Sequence, residues 1–204
     1  MKNYLVVNDK RIELTDEQVR KIKEGLECSS KKLSEVPVGE VFKIGGYEFV
    51  VLEQCGELTR AILRGLLPDK STFGNNNNFA DEECTVRERL EEFANELECI
   101  AGEDILDEHL VDLTSDDGLD DYGRIMVKVS LLTCELYRRY VRILDKYNPK
   151  EWWWLVTPYS TSTHEDASWI KCVSPSGYFY YYFYYYYFGV RPFCIFKSNI
   201  FVSE

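Results

Sequence analysis

Two histidines, seven cysteines and a cluster of aspartates are the side chains in this 204-residue chain that could support acid–base, thiol or metal chemistry. An acid–base site would have to use His109, His164 or carboxylates, since imidazole is the group that titrates near neutral pH. His109 lies beside Glu108 and Asp112, a setting typical of a surface or half-buried histidine. The GxSxG, GxGxxG, HExxH and P-loop motifs are absent from the sequence, so no enzyme activity and no cofactor are expected.

The cysteines and aspartates do not form a pattern typical of a metal site or a disulfide framework. The number of cysteines is odd and no two of them form a CxxC motif, so we expect reduced, mostly buried thiols. The segment SDDGLDD fails as an EF-hand loop, because counting back from Gly118 puts Leu113 where the first aspartate ligand is needed. No metal site is therefore predicted, and the acidic loop 114–123 is interpreted as solvated. Incidental Ca²⁺ binding is the alternative, with candidate ligands Asp116, Asp117, Asp120 and Asp121.

Charge and aromatic residues are distributed in opposite ways along the chain. The formal net charge is −11, which argues against a nucleic-acid partner because such proteins need a basic surface. Residues 152–204 contain three acids and three bases, so the whole net charge lies in residues 1–151, whereas 19 of the 30 aromatic residues follow position 151. The neutral, aromatic C-terminal part is therefore expected to meet partners.

The pattern of short apolar runs and longer amphipathic segments predicts an α+β fold. Strands are expected over 4–7, 11–14, 41–44, 47–52, 60–67, 110–113, 152–157, 169–173 and 190–196. Helices are expected from a capping box at Thr15 and Gln18 to about residue 27, over 85–100, and from the cap Thr133 to about residue 146. The chain is accordingly divided into an N-terminal hairpin and helix extension over 1–30 and a main domain over 31–204, with a polar loop at 75–78.

The run YFYYYFYYYYF over 178–188 is the most unusual feature of the sequence. If it were a buried core strand, its eight phenol hydroxyls would each need a partner, and a continuous strand of this length would span roughly 36 Å, about twice the usual length. Exposure of many rings is therefore expected, and an exposed aromatic patch marks a binding surface. The same composition suits pairing of the run with copies of itself, which is the structural alternative.

Five stretches relate the chain to a known family. They are LSEVPVGEVFKIGGYEFVVLE (33–53), HLVDLTSDDGLDDYG (109–123), VSLLTCELYRRYVRILDKY (129–147), WWWLVTPYST (152–161) and GVRPFCIFKSNIFV (189–202). In these, the chain resembles the variable target proteins of diversity-generating retroelements, in the gut-bacterial and phage branch with a C-type lectin-like fold. The WWWLVTP and GVRP elements are the most specific, since they frame the segment that varies between members. In that family a mutagenic reverse transcriptase substitutes at adenines, and A-to-T changes turn asparagine codons into tyrosine or phenylalanine codons. A deliberately built Tyr/Phe variant would give the same sequence.

The resemblance implies a C-type lectin-like domain over 31–204 with short mixed strands, two to three helices and a variable region over about 160–188. It implies a non-enzymatic ligand-binding protein. The N-terminal residues MKNYLVVNDKRIEL lack a long apolar stretch and turn charged at once, so no signal peptide is expected, and the expected location is the cytoplasm or a phage virion. The ligand would be a protein or a surface glycan. The net charge of −11 argues against nucleic acid, and the longest apolar stretch, 178–188, is too short and too rich in hydroxyls to insert into a membrane as a helix. The expected ligand-binding residues are Thr163, His164, Glu165, Asp166, Ser168, Trp169, Lys171, Ser176, Tyr178, Phe179, Tyr180, Tyr181, Tyr182, Phe183, Tyr184, Tyr185, Tyr186 and Tyr187.

Two other functions are kept as alternatives. Formylglycine-generating oxidases share the C-type lectin-like fold but depend on a reactive cysteine pair, and no such pair can be mapped onto this sequence. A divergent oxidase of that kind is the enzymatic alternative. A self-associating module, in which the aromatic run pairs between copies of the chain, is the structural alternative.

We make separate structural predictions for the framework, meaning the segments on either side of the variable region, and for the aromatic run. The segments 152–157 and 190–196 should be buried, neighbouring strands, with Arg191 in structural contacts. Along an extended run, alternate rings should diverge, one set packing on the scaffold and the other meeting solvent. The tyrosines should form one patch together with Trp169 and His164. The phenylalanines have no hydroxyl and should be less exposed than the tyrosines, namely Phe179, Phe183 and, most buried, Phe188.

Overall fold

The computed structural model describes residues 3–7, 10–19 and 30–203, and within them short antiparallel strands and helices form the predicted α+β arrangement. The strands are β1 (Asn3–Val7), β2 (Lys10–Leu14), β3 (Ser30–Lys32), β4 (Val41–Ile44), β5 (Tyr47–Cys55), β6 (Leu58–Leu63), β7 (His109–Asp112), β8 (Arg124–Val127), β9 (Val129–Ser130), β10 (Trp153–Pro158), β11 (Trp169–Val173), β12 (Phe179–Phe183), β13 (Phe193–Lys197) and β14 (Phe201–Ser203). The two long helices are α1 (Thr85–Ala101) and α2 (Cys134–Lys146), and Leu33–Glu35 and Ser162–His164 are short 3-10 helices. Across the described ranges no helix is long and apolar enough to cross a membrane.

The N-terminal segment contains the predicted hairpin and helix start. β1 and β2 pair antiparallel from Asn3↔Leu14 to Val7↔Lys10 and form a two-stranded sheet of their own. The capping box is present. The backbone N–H of Gln18 donates to Thr15 Oγ1 at 3.2 Å, and the backbone N–H of Thr15 donates to Gln18 Oε1 at 2.9 Å. The helix is described over residues 16–19, and its predicted continuation to residue 27 lies outside the described residues.

The main sheet has seven strands in the order β3-β14-β4-β5-β6-β13-β9. Its β4–β5 hairpin turns at Gly45 and Gly46 as predicted, and Gly45 adopts a φ of 57°, which glycine reaches without strain. The centre of β5 reads FVVL and is buried on both faces. Phe49 and Val51 belong to one hydrophobic cluster, while Val50 and Leu52 belong to a second, because neighbouring residues of a strand point to opposite sides.

The two long helices cover these opposite faces. α1 contributes to the first cluster the residues spaced along its apolar side, Val86, Leu90, Phe93, Ala94 and Leu97. α2 contributes Tyr137, Tyr140 and Leu144 to the second cluster. Its predicted cap is also present, since Thr133 Oγ1 accepts from the Leu136 amide at 3.1 Å.

The two framework strands do not pair with each other, which corrects one prediction. β10 and β13 are buried as expected, but β13 pairs with β6 and β9, so both of its edges are taken. β10 instead pairs with β11 in a separate three-stranded sheet, β10-β11-β12. Its other edge is occupied by loops, because Trp154 N donates to Gly189 O at 3.1 Å and Val156 N donates to Leu132 O at 3.0 Å. The two strands therefore share a core rather than hydrogen bonds.

Candidate functional site

The aromatic run is a short edge strand followed by a turn. Residues 179–183 form β12 and pair with β11 in an uninterrupted register from Trp169↔Phe183 to Val173↔Phe179. The chain then turns, with Tyr186 N donating to Phe183 O at 3.0 Å, and returns to the scaffold, where Phe188 N donates to Ser71 O at 3.1 Å. The run is thus split between two conformations and does not form the long continuous strand that its length would require.

One face of β12 packs its rings on Trp152. The Trp152 ring lies 5.3 Å from the Tyr180 ring and 5.1 Å from the Tyr182 ring, both in edge-on geometry, and stacks with Phe188 at 5.4 Å. Phe188 in turn lies 4.5 Å from the buried Trp154 ring. This face therefore connects exposed tyrosines to the core through a continuous set of aromatic contacts.

The opposite face of β12 also packs on aromatic residues. The Phe183 ring lies 3.8 Å from Trp169, and the Tyr181 ring lies 4.4 Å from Tyr159. Phe179 lies 4.8 Å from the Tyr137 ring of α2. The prediction that one set of alternate rings would pack while the other met solvent is therefore wrong. Both sets are partly packed, because the edge strand stands between Trp152 on one side and Trp169 with Tyr159 on the other.

The tyrosines of the run are on average more exposed than its phenylalanines, as predicted, although Tyr182 and Tyr184 are half-buried. Six tyrosines are exposed, from 42% at Tyr186 to 69% at Tyr178, whereas Phe188 is 8% exposed and the other two phenylalanines of the run are half-buried. We call these six the aromatic surface: Tyr178, Tyr180, Tyr181, Tyr185, Tyr186 and Tyr187. Their tips tolerate water while their rings add apolar area, the combination typical of adaptable binding surfaces.

Ring contacts join the two faces around the end of β12. Tyr182 lies 5.1 Å from Tyr186, Tyr186 stacks with Tyr185 at 5.5 Å, and Tyr185 stacks with Phe183 at 5.0 Å. Trp169 belongs to this network through Phe183. His164 does not, since none of the ring contacts found among the described residues involves it; its imidazole is held elsewhere.

Replacing single tyrosines should show which rings contribute to the stability of the fold and which are only exposed on its surface. Tyr178→Ser and Tyr187→Ser remove exposed rings and should change the free energy of unfolding by less than about 0.5 kcal/mol. Tyr182→Ser removes contacts to Trp152, Tyr186 and Phe188, and should lower it by about 1–3 kcal/mol. Urea unfolding followed by fluorescence checks this, and equal effects at all three positions would contradict the assignment.

The acidic loop 114–123 holds the polar loop 160–168, while most of its own residues are exposed, as expected of a solvated loop. Asp117 Oδ2 accepts from Ser160 Oγ at 2.6 Å and lies 2.9 Å from His164 Nδ1. Asp121 accepts from the hydroxyls of Thr161 at 2.6 Å and Thr163 at 2.8 Å. These carboxylates therefore fix the backbone path of the loop that leads into β11.

A third aspartate of the acidic loop holds Lys171, which is only 8% exposed although it carries a charge. Lys171 Nζ donates to Asp116 Oδ2 at 2.8 Å and lies 5.7 Å and 5.8 Å from the ring centres of Tyr159 and Tyr181. Burial of an amine requires such partners. The predicted binding residues Thr163, His164 and Lys171 thus all have side-chain partners within the scaffold.

The attachment of the polar loop should weaken in acid. The hydroxyls of Ser115 and Ser160, together with His164, hold the pKa of Asp117 well below its usual range, and those of Thr161 and Thr163 lower the pKa of Asp121. Because both folded-state values are depressed, the stabilisation is present above the unfolded pKa of about 3.9 and is lost as the pH falls below it. Amide hydrogen exchange of residues 160–166 should therefore show faster opening below about pH 4.

Asp117→Asn should reduce this pH dependence, because the amide cannot titrate. Asp120→Asn is the matched control, since Asp120 is exposed and lies in the same loop. A pH response that both variants retain in full would contradict the assignment of the effect to Asp117.

The remaining predicted binding residues lie along the polar loop and before β12. Glu165 is exposed and adopts a left-handed backbone with φ of 56°. Asp166 Oδ1 accepts from the Ser168 amide at 3.3 Å, and the Ser168 carbonyl accepts from Tyr184 N at 3.0 Å. Ser176 is exposed in the turn between β11 and β12. The fold therefore gathers the predicted residues around one three-stranded sheet, and their role in ligand binding stays a prediction.

Asn77 is a structural residue of this region that sequence reasoning missed. It is fully buried, and its side-chain amide donates to Ser160 O at 2.9 Å and to Trp169 O at 2.8 Å, while its Oδ1 accepts from Tyr122 Oη at 2.7 Å. The sequence shows only a run of asparagines over residues 75–78. No local pattern indicates contacts to residues 83 and 92 positions away.

A cleft of about 490 Å³ near the start of α2 is lined by His109, the other of the chain's two histidines. His109 Nε2 lies 2.9 Å from Ser130 Oγ, and its ring meets Phe193 edge-on at 5.4 Å. Burial lowers the pKa of His109 to about 4, so the imidazole is neutral at pH 7. Cys134 lines the same cleft, and burial raises the pKa of its thiol. A protonated thiol and a neutral histidine held by a serine give the cleft little acid–base or nucleophilic capacity.

The other buried thiols are protonated as well. Burial raises the pKa of Cys84 to about 11 and of Cys172 to about 12. The six cysteines in the described ranges are free thiols. Within those same ranges, no cluster of three or more His, Cys, Asp or Glu side chains is arranged to hold a metal ion.

The site as a whole is an exposed tyrosine surface on a three-stranded sheet. Aromatic residues pack on both faces of its edge strand, and the buried polar residues Asn77 and Lys171 bond to the strands and the loop beside it. Comparisons of the chain with protein-family models, with curated proteins and with solved structures found no match.

Proposed function

We propose that this protein is a non-enzymatic ligand-binding protein, in which a C-type lectin-like domain displays a hypervariable surface over residues 160–188 that a retroelement diversifies. The observation that carries the proposal is the aromatic surface, six tyrosines exposed together on and beside one edge strand. The lectin-like assignment rests on the sequence resemblance over residues 32–201, and the α+β architecture belongs to the class which that resemblance implies.

The mechanism is burial of rings against a partner, with phenol hydroxyls supplying hydrogen bonds at the rim. Ring contacts within the network hold Tyr180, Tyr181, Tyr185 and Tyr186 in place before any ligand arrives. Binding then loses less side-chain entropy than it would with free side chains. Tyr178 and Tyr187, the two most exposed members, remain free to adapt.

A buried framework beneath the surface supports the proposal, because a displayed region can vary only if the core does not depend on it. Trp153, Trp154 and Arg191 are essentially inaccessible to solvent. Gly189 is similarly constrained, since a Cβ atom there would come within 2.4 Å of Leu66 Cδ1. These residues belong to the segments that frame the aromatic run, and their ring and guanidinium contacts among the described residues are to other side chains and carbonyls than those of the exposed tyrosines.

The oxidase alternative finds less support. A reactive cysteine must reach the thiolate form, and burial raises the pKa of Cys84, Cys134, Cys172 and Cys194. Cys55 and Cys99 are exposed, and neither lines the cleft that contains His109. We therefore propose a binding role without catalysis or cofactor.

Selection from two displayed libraries tests the binding role. One library randomises the six residues of the aromatic surface, and the control randomises six exposed residues of α1, namely Glu88, Glu91, Glu92, Asn95, Glu96 and Ile100. Both are selected against purified lysozyme as a probe. We expect folded binders from the first library and none of comparable affinity from the second, because only the first varies rings that rest on Trp152, Tyr159 and Trp169.

Two results would overturn the proposal. If most members of the first library failed to fold, the tyrosines would belong to the core. If the α1 library gave binders as often and as tightly, the aromatic surface would have no special capacity for ligands.

A further inference from the structure

β12 is an edge strand whose outer side has no partner among the described residues. In the three-stranded sheet it pairs only with β11, and no backbone hydrogen bond found in the described ranges engages its other side along residues 179–182. Exposed edges of this kind accept further strands, and proteins commonly block them with charges, prolines or bulges. β12 has none of these, since its sequence is FYYYF and its register with β11 is regular.

The direction of the free backbone groups follows from the hydrogen bonds that flank the β11–β12 pair. Tyr184 N donates to Ser168 O at 3.0 Å, and Ser174 N donates to Tyr178 O at 2.9 Å. In an antiparallel pair, residues alternate between facing the partner strand and facing away from it. Even-numbered residues of the run therefore bond to β11, and the N–H groups of Phe179, Tyr181 and Phe183 point outward.

The sequence of β12 is the same in both directions. An antiparallel copy centred on Tyr181 would place Tyr181 opposite its own equivalent, and Phe179 opposite Phe183. Tyr181 has its amide and carbonyl on the outer side, so the central pair can exchange two hydrogen bonds, as the geometry of a hydrogen-bonded antiparallel pair requires. Aromatic cross-strand pairs add to the stability of such a ladder.

We propose that β12 pairs with β12 of a second copy of this chain around a two-fold axis at Tyr181, which joins the two three-stranded sheets into one of six strands. The charge distribution permits this contact, because residues 152–204 contain equal numbers of acids and bases although the chain has a net charge of −11. The pairing is isologous and closed, so it gives a dimer rather than a filament.

This dimer does not depend on the proposed ligand-binding function. If both hold, the contact occupies the outer edge of β12 around Tyr181, and the exposed tyrosines outside that strand stay available, so that one particle presents two sets of them: Tyr178, Tyr185, Tyr186 and Tyr187. A multivalent target would then be bound more tightly than a single surface allows.

Charge substitutions at the two-fold axis test the proposal without any ligand. Sedimentation velocity over a range of concentrations should show a monomer–dimer equilibrium for the unmodified chain. Tyr181→Lys and Tyr181→Glu place like charges directly opposite each other and should each weaken dimerisation at least about tenfold. An equimolar mixture of the two variants should recover the dimer, because opposite charges then face each other at the axis.

Tyr187→Lys and Tyr187→Glu are the matched controls, since Tyr187 is 67% exposed and lies outside β12; both should dimerise like the unmodified chain. Amide exchange of Phe179, Tyr181 and Phe183 in the unmodified chain provides a second readout and should slow as concentration rises. The proposal is overturned if that chain stays monomeric, if it forms particles that grow without limit, or if Tyr181→Lys dimerises unchanged.

Discussion

Replacing Arg191 by alanine is expected to lower the free energy of unfolding by about 3–5 kcal/mol, a large part of the 5–15 kcal/mol typical of a domain. The guanidinium is fully buried and donates to three carbonyl oxygens, those of Leu63 at 2.9 Å, Arg64 at 3.0 Å and Tyr147 at 2.9 Å. It also lies 5.1 Å from the Trp153 ring centre. Alanine would leave these carbonyls unpaired and open a cavity beside Trp153.

Arg191→Lys and Arg142→Ala serve as controls for this prediction. Burial lowers the pKa of Arg191 to about 10, so the group is charged at pH 7 and a lysine could keep the charge. A single ammonium cannot reproduce the planar fork to three carbonyls, and we expect an intermediate loss of stability. Arg142 is exposed, and its removal should change stability by less than about 0.5 kcal/mol. Equal effects of Arg191→Ala and Arg142→Ala in urea unfolding would contradict the structural role.

Removing the side chain of Asn77 is expected to lower the free energy of unfolding by about 2–4 kcal/mol, because it leaves buried polar groups unpaired. The amide links the carbonyls of Ser160 and Trp169 to the Tyr122 hydroxyl. Asn77→Ala should therefore also release the polar loop, and amides of residues 160–168 should exchange faster than those of α2.

Asn75→Ala is the matched control, since Asn75 is exposed and stands two residues earlier in the same run of asparagines. Its side-chain amide donates to Glu83 Oε2 at 2.6 Å, an exposed contact, and its loss should change stability by less than about 0.5 kcal/mol. If Asn77→Ala changed overall stability without faster exchange in the polar loop, its assigned function as an anchor of that loop would be wrong.

Sequence signals that act within a few residues predicted the positions of the β4–β5 hairpin and of both long helices. The Gly45-Gly46 turn, the Thr133 cap and the apolar spacing of residues 85–100 each act within a few positions, and β4–β5, α2 and α1 lie where they indicate. The relative burial of Phe188 could also be predicted, since a ring without a hydroxyl loses nothing on leaving water.

Contacts between distant segments could not be predicted. Burial of β13 was evident from its apolar sequence, but its pairing with β6 and β9 depends on which edges other strands leave free. The bonds from Asp117 and Asp121 to the polar loop join residues about 40 positions apart, and local periodicity carries no information at that distance. The arrangement of rings on both faces of β12 likewise depends on Trp152 and Trp169, which come from other strands.

The DNA that flanks this gene provides the most direct test of a diversified display surface. We predict a reverse transcriptase gene and a near-copy of the codons for residues 160–192, with differences between the two copies at codons of the aromatic surface. Codons of the buried framework, such as Arg191, should be identical in both copies. A flanking sequence without such a copy, or differences spread equally over framework and surface codons, would contradict the account.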